Sequence, residues 1–180
     1  MRICGTAVRQ IMNRLADIVD TSDSFGWISI ALHWATATVV LSMWFIGQSI
    51  DAQSSPESID ALRKLHITIG LVSWVLLAGR IAWRVRQGHP RVDGQTLMTH
   101  RIARSMHYLM LMMLGIMILT GPVIAWLGPQ ASSLSLSLHA VHRISANVFF
   151  ILIAIHVLAA LKHLMFHDDS TVVRMVMPKQ

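Results

Sequence analysis

Four stretches of this chain are apolar for long enough to cross a bilayer, and polar segments separate them. The first covers about residues 28–48, ISIALHWATATVVLSMWFIGQ, with no Asp, Glu, Lys or Arg. A helix of about 20 apolar residues matches the hydrocarbon core. The second span runs from about His66 to Val85, the third over 104–127 and the fourth over 140–165. Arg80 and Arg84 lie in the last turns of the second span, where long basic side chains can reach the interface. The third is rich in Met and Leu (LMLMMLGIMIL) and ends near Gly121-Pro122. Between the spans come a polar connection at 49–65 with a Ser54-Ser55-Pro56 turn, a basic loop at 86–101 and an uncharged loop at 128–138. The pattern predicts an all-α integral membrane four-helix bundle over residues 27–180.

Residues 1–26 stand apart. Val8, Ile11, Met12, Leu15, Ile18 and Val19 recur at helical spacing with Arg9 and Arg14 between them. That fits a short amphipathic helix on the membrane surface, and equally an unstructured tail. No apolar run precedes Trp27, so no cleaved signal peptide is expected.

Composition agrees with the spans. Charged residues make up 13% of the chain against 54% hydrophobic, where a soluble domain carries about 25% charged. The net charge of +6 would suggest nucleic acid in a soluble protein. Here the basic residues flank apolar segments, so they report topology and no nucleic-acid binding is expected. Arg80, Arg84, Arg86, Arg91, Arg101 and Arg104 cluster at the second loop, whereas the first has only Arg63 and Lys64 and the third Arg143. The positive-inside rule then places the second loop and both termini in the cytoplasm. The single Cys4 excludes an internal disulfide and a cysteine metal site.

The chemistry lies in the ten histidines, more than packing calls for in a membrane protein of this size. His142 and His156 are fourteen residues apart. On one helix they return to within about 40° of a common face, at depths about 21 Å apart. Topology gives each a partner: His66 starts the second span at the outer side, and His33 lies near the cytoplasmic start of the first. The depths pair His66 with His142 and His33 with His156. Two axial imidazoles at each of two levels is what two b-type haems require. Each of the four has a small residue at i+4, namely Ala37, Gly70, Ala146 and Ala160, where bulk would strike a porphyrin plate. His100, His107 and His139 are followed by Arg104, Leu111 and Arg143 instead. A pairing of His139 with His156 would rotate the two about 100° apart. A lone histidine in such a helix also satisfies itself by hydrogen bonding to a neighbour, without any cofactor. A zinc site would need the histidines together, which the depth difference forbids.

These pieces resemble a known family. SIALHWATA, LRKLHITIGLVSWVLLAGRIAWR, GPVIAW and LHAVHRISANVFFILIAIHVLAALKHLMFHDDSTVVRMV, within residues 25–177, are similar to the bacterial cytochrome b-561 family of small four-helix, two-haem membrane cytochromes. The family pattern places haem ligands on the histidines of the LHW, LHITIG, VHRIS and IHVLAALKH stretches, here His33, His66, His142 and His156. The resemblance implies two haems b in a bacterial inner membrane and electron transfer with ubiquinone. In some members it implies oxidation of superoxide, with ubiquinone as acceptor.

Two irons with both axial positions filled disfavour oxygen binding and favour outer-sphere transfer. Arg63, Lys64 and Arg143 at the outer face would attract an anion such as superoxide, or serve as interface anchors or haem-propionate partners. His163 is seven residues past His156, near the cytoplasmic boundary. With Arg80 and Lys162 it could form a quinone pocket and deliver protons, or it could be an interfacial histidine. The tryptophans at 34, 44, 74, 83 and 126 read as interface anchors and the Met run as adaptable packing. The leading expectation is a superoxide:ubiquinone oxidoreductase. The alternative is a cytochrome b anchor subunit serving a separate dehydrogenase or reductase, although the short loops call for no obligate protein partner. A haem-free bundle would be the third possibility.

Overall fold

A computed structural model describes residues 18–20, 25–88, 96–128, 132–166 and 175–176. Its long helices follow from one constraint. In lipid each backbone N–H and C=O must find a partner within the protein, and a helix provides one along its own length. The elements are α1 (Trp27–Asp51), α2 (Pro56–Gln87), α3 (Leu97–Leu127) and α4 (Ser133–Phe166). All four are long and apolar enough to span a membrane. Most of the amphipathic segment expected before residue 26 lies outside the described residues, as does the tail with Asp168 and Asp169.

The helices run past the apolar spans, because capping rather than hydropathy sets their ends. α2 begins ten residues before His66, at Pro56. The Ser55 hydroxyl accepts the Ser58 N–H at 3.1 Å, and proline occupies the first turn. The Thr96 hydroxyl accepts the Thr99 N–H at 3.2 Å and starts α3. The Ser132 hydroxyl accepts the Ser135 N–H at 3.1 Å beside the start of α4.

α1 packs along α2, α2 along α3 and α3 along α4, while α1 and α4 meet only sparingly. Leu77, Met113, Leu114, Phe149 and Leu152 form the buried core, with Met106, Met110 and Met117 against it. Hydrophobic side chains such as Val72, Val75, Leu119 and Leu158 point outward, which is the expected surface for a protein solvated by lipid.

Four of the five tryptophans expected as anchors instead tie the fold together. Pro122 lies inside α3 and lacks the N–H that would bond the Ile118 carbonyl. The Trp74 indole N–H from α2 takes that carbonyl at 2.9 Å. Trp44 stacks on Phe150 with centroids 3.7 Å apart and donates to Asn147 Oδ1 at 3.3 Å, bridging the loose seam between α1 and α4. Trp83 donates to Ser29 Oγ at 2.7 Å, and Trp34 to the Met175 carbonyl at 2.8 Å. Trp126, 84% exposed, has the placement of an anchor.

Candidate haem-binding sites

α4 carries histidines at two levels; α1 answers one of them and α2, from across the bundle, the other. His33 of α1 meets His156 with ring centroids 6.4 Å apart and planes at 67°. His66 of α2 meets His142 with centroids 6.4 Å apart and planes at 75°. Two imidazoles sharing one iron need about 2 Å for each metal–nitrogen bond and about 1 Å from each nitrogen to its ring centre, hence about 6 Å between centroids. Both pairs have that spacing. Among the described residues no three His, Cys, Asp or Glu converge as a multidentate metal site.

The His66–His142 pair is bordered by small residues. A Cβ added at Gly47 of α1 would lie 3.5 Å from His66 Cε1, and one at Gly121 of α3 would lie 3.6 Å from His142 Cε1. Gly70, one turn beyond His66, faces the Met43 methyl, which a Cβ would approach to 3.2 Å. His66 Nδ1 is buried without a hydrogen-bond partner among the described residues.

The His33–His156 pair has a third imidazole, on a histidine that its bulky i+4 neighbour argued against as a ligand. His107 of α3 packs edge-to-face on His156 with centroids 5.0 Å apart. Its Nδ1 lies 2.7 Å from the Ala103 carbonyl, which can only accept, so Nδ1 carries the proton. At 5.0 Å the His107 and His156 rings are too close to share an iron, so distance favours His33 as the partner. Only the leucine at i+4 bore on His107 in the sequence, and nothing there indicated this contact.

Around this end the charges are buried. Arg80, 7% exposed, donates to the Ser29 carbonyl at 3.3 Å and approaches His33 Nδ1 at 3.4 Å. Arg84 pairs with Asp20 at 3.5 Å and lies over the Phe25 ring at 5.1 Å. The Asp20 carboxylate also accepts the Gly26 N–H at 2.8 Å, which ties Asp20 to the start of α1 as well as to Arg84. A side chain at Gly26 would collide with the Ile18 carbonyl. Of the residues expected to hold quinone, Arg80 is therefore engaged beside His33, His163 is half-buried and Lys162 is exposed. Toward the His66–His142 end Lys64 pairs with Asp60 at 2.7 Å and Arg143 with Asp51 at 3.3 Å, both in exposed settings.

Comparison with known proteins points the same way. The family model for prokaryotic cytochrome b561 matches residues 24–178. The chain is 28% identical over 162 residues to cytochrome b562 of Cereibacter sphaeroides, covering 84% of this chain and 94% of that protein. It is 27% identical over 175 residues to the probable superoxide oxidase CybB of Yersinia pestis, covering 87% and 97%. Cytochrome b561 homolog 2 of Escherichia coli is 29% identical over 175 residues, covering 87% and 93%.

Proposed function

Since this chain belongs to the prokaryotic cytochrome b561 family of membrane electron-transfer proteins, we propose that it is a two-haem superoxide:ubiquinone oxidoreductase of the bacterial inner membrane. His66 and His142 would hold one haem b, and His33 and His156 the other. The observation that carries this reading is the equal 6.4 Å spacing of two histidine pairs at the two ends of α4. Ala37, Gly70, Ala146 and Ala160 are the small residues one turn beyond each ligand. When bound, haem with two imidazole ligands supplies one-electron exchange without an open coordination position.

The protein's own part is to orient and to exclude water. His33 would hold iron through Nε2 in the tautomer with its proton on Nδ1, and Arg80, which can only donate, would then keep only the Ser29 carbonyl. Asp20, paired with Arg84 and bonded to the Gly26 N–H, braces the start of α1 beside this pair. Arg63 is the outer cation that Asp51 and Asp60 do not neutralise among the described residues, and it draws an anionic donor toward the outer pair. His163 and Lys162, with Arg80, hold the quinone and supply its protons at the cytoplasmic boundary. The second loop and both termini face the cytoplasm, a reading that the arginine distribution supports. The relative named a probable superoxide oxidase supports superoxide as donor.

Haem content per purified chain and stopped-flow mixing with a superoxide source test the reading. Two haems per chain, reduced on mixing and reoxidised by added ubiquinone, are expected. Two haems that superoxide leaves oxidised would indicate the anchor-subunit alternative. Absence of Soret absorption would refute haem binding altogether.

A further inference from the structure

The two ligands of the outer pair differ in what holds them. Buried His66 Nδ1 has no hydrogen-bond partner among the described residues. His142 Nδ1 lies 2.8 Å from the hydroxyl of Thr120, a buried residue of α3. That hydroxyl also lies 2.7 Å from the Ile116 carbonyl one turn back, with the Met117 carbonyl at 3.5 Å. A hydroxyl has one hydrogen and a carbonyl can only accept. The hydrogen goes to Ile116, the ordinary back-bond of a helical threonine, and the hydroxyl oxygen is left to accept. The His142 ring must therefore donate from Nδ1, and a neutral imidazole protonated there carries its lone pair on Nε2.

We infer that Thr120 is a positioning residue that holds His142 in the tautomer able to bind iron through Nε2 and makes it the more electron-donating ligand of the outer pair. An acceptor on the distal N–H orients a ligating imidazole and raises its basicity. The bond to Ile116 strengthens the effect, because a hydroxyl that donates is a better acceptor. A more basic ligand favours ferric over ferrous iron, so Thr120 lowers the potential of the outer haem. This inference rests on the two-haem reading above.

The test compares Thr120→Val, which keeps the shape and removes the hydroxyl, with Thr120→Ser, which keeps the hydroxyl. Both are titrated potentiometrically by optical and electron paramagnetic resonance spectra. The outer haem is identified as the component lost in His142→Ala. In Thr120→Val the outer haem should lose up to about tenfold of its ferric preference, a rise of about 59 mV for one electron, with Thr120→Ser close to wild type. Loss of the outer haem in Thr120→Val but not in Thr120→Ser also supports the assignment. An unchanged outer haem in Thr120→Val, a shift confined to the inner haem, or loss of the outer haem in both variants overturns it. Fewer than two haems in the wild type, or two haems surviving in His142→Ala, would instead refute the haem reading itself.

Discussion

Replacing Trp74 with Phe keeps an aromatic ring against α3 and removes one N–H. In the native protein that N–H supplies the bond to the Ile118 carbonyl, at 2.9 Å, which Pro122 cannot make. In water the vacated carbonyl would be solvated, but at this depth lipid offers no donor. A stranded acceptor costs about 1–3 kcal/mol, whereas side-chain hydrogen bonds measured inside membranes average about 0.6 kcal/mol. The carbonyl lies beside an open lipid-facing groove lined by Leu71, Trp74, Leu119 and Pro122, so relaxation is easy and about 1 kcal/mol is expected. Pro122→Ala restores the backbone donor, and in that background Trp74→Phe should cost close to nothing. Reversible unfolding of the four variants in mixed micelles gives the coupling energy directly. If Trp74→Phe costs the same with Pro122 or Ala at that position, the indole bond does not compensate the proline.

Three further outcomes follow from named contacts. His142→Ala should lose one haem, leaving half the wild-type absorbance with the His33–His156 component intact; loss of both or neither contradicts two separate sites. Asp20→Ala leaves Arg84 buried beside Phe25 without its 3.5 Å partner, and unfolding in detergent should show a loss of about 3 kcal/mol. A loss below about 1 kcal/mol would mean that the pair is solvated. Arg63→Ala should slow reduction by superoxide several-fold at low salt and hardly at all at high salt, and Asp60→Asn should speed it, because both act through a screened surface field. Rates independent of ionic strength would remove the steering role.

How far α1 to α4 could be foreseen depends on which physical variable the sequence encodes. Lipid permits few backbone solutions, so four apolar runs already implied four helices. Position along a helix is residue number times a fixed rise, so the depths of His33, His66, His142 and His156 were readable before any coordinates. The helix ends were less legible, since the polar turns of α2 from Pro56 and α3 from Leu97 are set by Ser55 and Thr96 caps rather than by hydropathy.

What only the tertiary structure decided is the rotation and proximity of helices distant in sequence. That rotation set His107 against His156, put Thr120 on the His142 ring, turned Trp74 onto the Ile118 carbonyl and folded Asp20 over Arg84. Each of these contacts joins segments whose relative azimuth follows from packing the whole bundle. Periodicity within one helix fixes which residues share a face, but not which neighbour that face will meet.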